Sequence, residues 1–309
     1  MNATASARVS LWSLGLVLGF TLGLGGCGAA PSGKVSSITL AAQDFAEPRI
    51  DDWMVRDLIQ AKTHLKVTIR DTTGASGLLH TLLTQHSIQG YVGYDGTEFT
   101  GPLGKAYTGP WKGHPTKVAS YVVHQEMTKW KLFVSPSLGY QDTYALGVTQ
   151  ARAKADHLTD ASSAVPFAPH WTIGTDPTFQ LRKGDGYKAW TSAYGFHFKA
   201  VKAMDYSLMY QALAHGSIQA AVVYSTDGRL YKLHEVALPD NKHFFPPYHG
   251  IFIVDASIEK AWHLNRVLKP LWGSITTAEQ THLNYEVDVA KQSARTVAKK
   301  FLVKHGLLK

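Results

Sequence analysis

Four tyrosines occupy comparable positions in the sequence, each at or beside the end of a predicted strand or at a predicted crossing between domains. They are Tyr94, Tyr144, Tyr224 and Tyr248. A single tyrosine in such a place is explained by its amphipathic character, with a buried ring and a hydrated hydroxyl. Four tyrosines at matching positions favour a shared role. Their ring faces can enclose a quaternary ammonium group, because that cation is attracted to the ring quadrupole and cannot donate strong hydrogen bonds.

The energy of such a cage indicates that a ligand needs a second anchor. At about 0.5–2 kcal/mol per ring, four rings contribute roughly 2–8 kcal/mol. Micromolar binding requires about 8 kcal/mol net. We therefore expect a contact to an anionic end of the ligand, for which Arg182 and the hydroxyl of Thr97 are candidates. A surface cation and a turn-forming threonine explain these two residues equally well.

The elements that must position the tyrosines are predicted strands followed by turn residues. Residues 218–224 form an apolar run that ends at Tyr224 and is broken by Ser-Thr-Asp-Gly, and residues 88–94 run in the same way into Asp-Gly-Thr. In open α/β sheets, ligands bind at the carboxyl edge of the strands. Two similar endings therefore predict two related lobes with a ligand between them.

The order of the predicted elements indicates an α/β protein. Strands at 38–42, 65–71 and 88–94 alternate with helices, which predicts a mostly parallel sheet covered by helices. Residues 96–115 are rich in Gly, Pro and Thr and are predicted to be a long loop. We place lobe I at 38–142 plus 247–309 and lobe II at 143–246. The chain beyond residue 258 is predicted to be largely helical.

The first 37 residues are predicted to be a targeting segment and a tether. Arg8 is the only charged residue before an apolar run that ends in Leu-Gly-Gly-Cys, so residues 1–26 match a secretory signal. Cys27 is the only cysteine and has no disulfide partner, which favours acylation at a lipobox over an ordinary cleaved signal. Residues 27–37 would then join the lipid to the folded body, outside the cytoplasm and anchored to the membrane.

Composition and the absence of familiar motifs narrow the function classes. The chain has 309 residues and 45% hydrophobic residues, enough for two globular lobes, and its net charge of +8 is dispersed rather than clustered, which argues against nucleic-acid binding. The chain lacks a G-x-S-x-G elbow, an H-E-x-x-H pair and a Walker loop. His80 with His86, and His243 with His249, lack the i, i+4 spacing of a helical metal pair. We therefore expect no metal, no cofactor and no catalytic activity.

Several short motifs together resemble a known family of transport receptors. These motifs are Y-D-G-T at 94–97, T-Y-A-L at 143–146, G-D-G-Y at 184–187, M-D at 204–205 with L-M-Y-Q-A-L at 208–213, Y-S-T-D-G-R at 224–229 and F-F-P-P-Y at 244–248. In order and spacing they are similar to the ProX/OpuCC-type osmoprotectant-binding lipoproteins of ABC importers, which capture glycine betaine, carnitine, choline and related solutes. The resemblance covers nearly all of the chain beyond the targeting segment.

This resemblance implies a two-lobed fold of the type II periplasmic-binding-protein class. It also implies a monomer that delivers its solute to a permease and its ATPase. It implies that the four tyrosines form a cage around the trimethylammonium group. By motif position, Thr97 and Arg182 resemble the carboxylate side of the pocket, and Asp142 resembles a pocket acid of some members. No role in nucleic-acid binding is implied.

One departure from the family pattern concerns the ligand. After the first strand the family often has Ser-Lys-Asn-Phe, with the lysine helping to bind carboxylate, whereas this chain has Gln43 followed by Asp44. Gln43 can donate a hydrogen bond but carries no charge. This change favours a ligand with a neutral second end, such as choline, although Arg182 would oppose a bare cation. Two alternatives stay open: the same fold binding another polar solute, such as an amino acid or a choline ester, and an extracytoplasmic enzyme that uses Asp142 or Asp227.

Overall fold

The computed structural model describes residues 35–72, 76–181 and 184–309. The predicted signal, Cys27 and most of the predicted tether lie outside the described residues, as does Arg182. Within the described ranges, no helix combines the length and apolar character needed to cross a bilayer.

Within the described residues, ten strands form two five-stranded sheets. The strands are β1 Ser37–Ala42, β2 Lys66–Asp71, β3 Gly90–Tyr94, β4 Leu132–Val134, β5 Tyr144–Thr149, β6 Thr172–Thr175, β7 Ala200–Ala203, β8 Ala220–Tyr224, β9 Glu235–Leu238 and β10 Gly250–Asp255. The first sheet has the order β2-β1-β3-β10-β4 and the second has the order β7-β6-β8-β5-β9. The two orders correspond position by position, as the prediction of two related lobes requires.

Thirteen α-helices join or cover the strands among the described residues. They are α1 Ala46–Lys62, α2 Ser76–Thr84, α3 Asp95–Thr100, α4 Pro115–Trp130, α5 Gln150–Ala155, α6 Pro177–Leu181, α7 Tyr187–Tyr194, α8 Tyr206–Ala214, α9 Gly228–Lys232, α10 Ala256–Trp262, α11 Leu264–Leu268, α12 Thr277–Asp288 and α13 Ala294–Lys304. Helices cover both faces of the central strands, which explains why every residue of β3 is buried and why β5 and β10 read as continuous apolar runs.

The prediction of a mostly parallel sheet is wrong for one part of each sheet. The pairs β1–β2 and β1–β3 are parallel, but β10 runs antiparallel to both β3 and β4. In the second sheet, β6 is parallel to β7 and β8, whereas β5 runs antiparallel to β8 and β9. The chain reaches β5 directly from the first sheet and β10 directly from the second. The sequence could not show this, because periodicity along a strand does not reveal the direction in which the strand runs.

The predicted loop at 96–115 is also wrong at its start, where the structure has helix α3. Asp95 and Glu98 lie in the first turn, where acidic residues are favoured by the helix dipole. Phe99 is fully buried and contacts the rings of Trp111 and Tyr121, with centroids 5.0 and 5.6 Å away. Burial of this aromatic side chain outweighs the poor helix propensity of the flanking glycines.

Two glycines that follow the tyrosine-bearing strands have a packing role. A Cβ on Gly96 would lie 1.9 Å from the carbonyl oxygen of Pro247, and a Cβ on Gly228 would lie 2.3 Å from the backbone nitrogen of Tyr285. Each Asp-Gly pair was interpreted from sequence as a strand-ending turn. In the structure both glycines lie within the first turn of a short helix and allow a second chain segment to pass against it.

Candidate functional site

Antiparallel pairing brings the four predicted tyrosines together in two pairs. Tyr224 ends β8 and is the register partner of Tyr144, which begins β5. Tyr94 ends β3 and is the register partner of Gly250, two residues after Tyr248. The carboxyl end of a strand thus lies beside the amino end of its antiparallel neighbour, so both members of a pair reach the same edge of the sheet.

A cavity of about 1160 Å³ lies at these strand ends and is lined by residues from both sheets and from the segments that follow their strands. All of the predicted ligand-binding residues that the structure describes line it: Gln43, Tyr94, Thr97, Asp142, Tyr144, Tyr224 and Tyr248. Arg182 lies outside the described residues, although Gly184 and Asp185 beyond it line the cavity. The volume lies slightly above the range of roughly 300–1,000 Å³ that is usual for small-molecule sites in proteins.

The aromatic wall of the cavity is centred on Tyr144. Its ring centroid lies 4.7 Å from that of Tyr224, 6.5 Å from that of Tyr248, 5.0 Å from that of Phe179 and 5.5 Å from that of Phe245. Tyr224 Oη donates a hydrogen bond to Tyr144 Oη at 3.0 Å. The two phenylalanines are buried core residues that pack against Tyr144 and do not line the cavity. The phenylalanines that line it are Phe45 and Phe244, of which only Phe244 lies in a motif that the sequence singles out.

Tyr94 is positioned from a different side, by a buried carboxylate on α1. Its hydroxyl donates to Glu47 Oε1 at 2.7 Å, and Asn284 Nδ2 donates to Glu47 Oε2 at 2.8 Å. Asn284 also donates to the carbonyl oxygen of Thr226 at 2.8 Å, so α12 links α1 to the turn after β8. Glu47 and Asn284 both line the cavity. Sequence reasoning missed them because they are separated by 237 positions.

Buried acids extend inward from the cavity wall. Glu47 and Asp51 are spaced i, i+4 on the buried face of α1, and Tyr140 Oη donates to Asp51 Oδ2 at 2.5 Å. Burial raises the pKa of Glu47, and burial together with the charge of Glu47 raises the pKa of Asp51. The pKa of Asp142 is raised by burial and then by the charge of Glu47. The sequence signal that could have revealed these acids is the i, i+4 spacing of Glu47 and Asp51 within the otherwise apolar face of α1.

Carboxyl groups outnumber cationic groups along the described part of the cavity wall. The acids are Glu47, Asp142, Asp185, Asp227 and Asp288, and the cations are Lys105, Lys112 and Arg229. Arg229 is held by Asp227, with its Nε 2.8 Å from Asp227 Oδ1, and its Cζ lies 4.5 Å from the ring centroid of Tyr210. Because the pKa values of Glu47 and Asp142 are raised, this excess of carboxyl groups becomes an excess of negative charge when a positive group of a ligand stabilises their ionised forms.

The structure separates the two residues that depart from the family pattern after the first strand. Gln43 is buried and lines the cavity. Asp44 is exposed and pairs with Arg49, with Asp44 Oδ1 2.6 Å from Nη2. Asp44 is not part of the cavity lining, so it adds no acid to the cavity wall.

Comparisons with known proteins identify the same class of protein throughout. Residues 36–304 match the family described as the substrate-binding domain of an ABC-type glycine betaine transport system. The chain is 31% identical over 302 residues to the carnitine transport binding protein OpuCC of Listeria monocytogenes, covering 96% of each chain. It is 28% identical over 256 residues to the ergothioneine transport permease/ergothioneine binding protein EgtU of Helicobacter pylori, which is 82% of this chain and 45% of that protein.

A solved structure supports the fold. The chain aligns with the crystal structure of a glycine betaine/carnitine/choline ABC transporter protein with a TM-score of 0.81 and 32% sequence identity, covering 87% of this chain and 98% of that chain. The predicted two-lobed α/β fold is thereby confirmed, and the described residues contain two five-stranded sheets. Such proteins work outside the cytoplasm and bind small solutes for a membrane permease. The chain therefore belongs to the family of substrate-binding domains of ABC-type glycine betaine transport systems.

Proposed function

We propose that this protein captures a quaternary ammonium solute, such as choline, carnitine or glycine betaine, and delivers it to an ABC permease. The observation that carries the proposal is the common cavity lined by Tyr94, Tyr144, Tyr224 and Tyr248, with carboxyl groups in excess along its wall. Aromatic faces and carboxylates both attract a cation that cannot donate strong hydrogen bonds. Thr97 and Gln43 supply polar groups for the other end of the ligand.

The two lobes would close on the solute and remove its ammonium group from water. We place lobe I at 38–142 plus 247–309 and lobe II at 143–246, so that Tyr94 and Tyr248 belong to one lobe and Tyr144 and Tyr224 to the other. Closure would then combine rings from both lobes around the cation and couple binding to docking on the permease. A lipid on Cys27 would hold the receptor as a monomer at the outer surface of the membrane, near the permease and its ATPase.

Calorimetric titration with choline, carnitine and glycine betaine tests the proposal directly. We expect saturable binding of at least one of these solutes, and recovery of the solute unchanged by mass spectrometry. Tyr144→Ala should weaken that binding, while Tyr231→Ala, an exposed tyrosine outside the cavity, should leave it unchanged. Absence of heat with all three solutes would contradict the proposal.

A second candidate ligand class is another polar solute bound by the same fold. The neutral Gln43 in the cavity wall favours it, because a carboxylate loses the charged partner that the family pattern supplies. Adding polar amino acids, which lack a quaternary ammonium group, to the same titration panel separates the two classes. Ergothioneine and a choline ester both carry a trimethylammonium group, so their binding would test only the second end of the ligand.

A further inference from the structure

Three helices on one face of the first sheet meet at a cluster of buried ionisable side chains. His80 lies on α2, Glu98 on α3 and Glu126 on α4, and one potential ligand atom from each residue lies within 4.8 Å of the others. His80 is 5% exposed, and both glutamates are completely buried. The cluster is separate from the solute cavity, since none of the three residues lines it.

The hydrogen bonds within the cluster satisfy only part of its polar atoms. His80 Nε2 lies 3.0 Å from Glu126 Oε2, and Tyr91 Oη donates to Glu98 Oε1 at 2.7 Å. The other carboxylate oxygens, Glu98 Oε2 and Glu126 Oε1, are buried and have no hydrogen-bond partner in the described part of the chain. A buried carboxylate oxygen without a partner is destabilising by about 1–3 kcal/mol, and more when the group is charged.

The surroundings of the cluster offer little else to compensate these oxygens. The apolar side chains buried in the same core include Leu79, Leu83, Phe99, Val118 and Val122. The ring of Trp130 packs edge-on against His80, with centroids 4.5 Å apart and planes at 77°, and restricts the orientation of the imidazole. Two carboxylates are therefore held together in an apolar core with a preoriented imidazole.

We propose that His80, Glu98 and Glu126 bind a divalent metal ion, with zinc as the expected occupant. A dication balances the two carboxylates and supplies a partner for their remaining oxygens. One imidazole with two carboxylates is a donor set that zinc accepts, whereas magnesium and calcium prefer oxygen ligands alone. Ligands bonded at about 2.0–2.2 Å to one tetrahedral ion lie roughly 3.3–3.6 Å apart. His80 Nε2 and Glu126 Oε2 are 3.0 Å apart, so a small separation of these two atoms would admit the ion between them.

The ion would act as a structural link between α2, α3 and α4. Helix α3 begins directly after Tyr94 and carries Thr97, so a ligand at Glu98 restrains the segment that forms one wall of the solute cavity. The hydroxyl of Tyr91 holds Glu98 as an outer-shell donor, which is the usual way in which a ligating carboxylate is oriented. Sequence spacing could not show this site, because its residues lie on three separate helices.

Elemental analysis of the chain purified without chelators tests the proposal. We expect about one zinc ion per chain, a melting temperature that falls on dialysis against EDTA, and its recovery when Zn²⁺ is added back. Glu98→Gln and Glu126→Gln preserve side-chain volume and should each abolish the bound zinc and the response to Zn²⁺. Glu235→Gln is the matched control, because Glu235 is also buried with unpartnered oxygens but lies in the second sheet.

Cobalt provides a readout that does not depend on the variants folding. Co²⁺ added to the metal-depleted, unmodified chain should give visible absorption bands that Zn²⁺ removes by competition. The proposal is overturned if the purified chain contains no stoichiometric metal and shows neither cobalt bands nor a thermal response to Zn²⁺. That result would mean that the two carboxyl groups share a proton instead. Equal zinc content in Glu98→Gln and the unmodified chain would also overturn it.

Discussion

Tyr144 and Tyr224 face each other across an antiparallel pair of strands, with ring centroids 4.7 Å apart and Tyr224 Oη donating to Tyr144 Oη at 3.0 Å. The residues are 80 positions apart in sequence. Their contact makes the aromatic wall a preformed unit, because each ring restricts the other before any ligand arrives. Preorganised aromatic side chains lose less conformational entropy on binding than independent ones.

The first prediction separates the ring of Tyr224 from its hydroxyl. Tyr224→Ala removes both and should cause the largest loss of affinity for the preferred solute, with the fold intact by circular dichroism. Loss of one ring corresponds to about 0.5–2 kcal/mol, or roughly 2- to 30-fold in Kd, and loss of the support it gives to Tyr144 adds to this. Tyr224→Phe keeps the ring and should lose less. Equal affinities for the alanine variant and the unmodified protein would rule out Tyr224 as a cage residue.

The second prediction concerns the pH dependence of ligand binding. The pKa of Asp142 is raised by burial, by Glu47 and by Asp227, and the pKa of Glu47 is raised by burial. The groups that face them include the hydroxyl of Tyr94, the amide of Asn284 and Asp51. A bound cation stabilises the ionised carboxylates and lowers their pKa values, so binding should release protons. Affinity for choline should therefore rise with pH as these two carboxyl groups ionise, above the ordinary carboxyl range.

Calorimetry in two buffers with different ionisation enthalpies measures this proton release. The apparent binding enthalpy of choline should differ between the buffers, and the difference should shrink in Asp142→Asn, which keeps the size of the side chain. Tyr231→Ala, outside the cavity, should retain the full difference. Identical enthalpies in both buffers at every pH would show that no proton is exchanged.

The third prediction ranks ligands by the charge of their second end. Gln43 is neutral, and acids exceed cations along the described cavity wall, so choline should bind more tightly than glycine betaine. Gln43→Lys restores the charge of the family pattern and should shift the preference toward glycine betaine. Lys105→Gln removes a cation from another part of the cavity wall and is the control for a general change in the charge of the wall. If Gln43→Lys leaves the ratio of the two Kd values unchanged, Gln43 does not contact the second end of the ligand.

The fourth prediction concerns the stability of the fold as pH changes. Burial raises the pKa of Glu235 to about 8, and neither of its carboxylate oxygens has a hydrogen-bond partner within the described residues. The folded state therefore keeps a proton that the unfolded state releases near its ordinary pKa of about 4.5. The stabilising effect is fully present below that value and is lost as pH rises toward about 8.

Urea unfolding at several pH values measures this contribution of Glu235. Between the two pKa values, Glu235 should lower the free energy of unfolding by up to about 1.4 kcal/mol for each unit that the pH rises. Glu235→Gln should reduce the slope by about one proton. Glu259→Gln, on a partly exposed turn of α10, should not change it. An unaltered slope in Glu235→Gln would mean that Glu235 titrates alike in the folded and unfolded states.

The fifth prediction tests the close approach at Gly96. Gly96→Ala places a Cβ 1.9 Å from the carbonyl oxygen of Pro247, so the segment before Tyr248 must move. We expect a loss of about 1–3 kcal/mol in the free energy of unfolding, typical of overpacking, together with weaker solute binding. Gly77→Ala, a helical position where the new Cβ meets no atom within 4 Å, should be neutral or stabilising. A Gly96→Ala protein as stable as the unmodified one would contradict the packing argument.

The sequence by itself determined the elements of the site that depend on local pattern. Apolar runs that end in Tyr94 and Tyr224 predicted two strands with ligand-facing ends, and the motifs around Tyr144 and Tyr248 completed the set of tyrosines. The α/β class followed from the order of the elements, and the two lobes followed from the two similar strand endings. These features are readable because side-chain periodicity and turn chemistry act over a few neighbouring residues.

Only the tertiary structure decided how distant segments meet. The antiparallel direction of β5 and β10 places Tyr144 beside Tyr224, and the fold joins Glu47 to Asn284 and His80 to Glu126. These contacts depend on the register of strands and the packing of helices that are far apart in sequence. Local sequence propensity cannot predict these long-range contacts, because their free energy arises from burial and hydrogen bonds that exist only once the chain is folded.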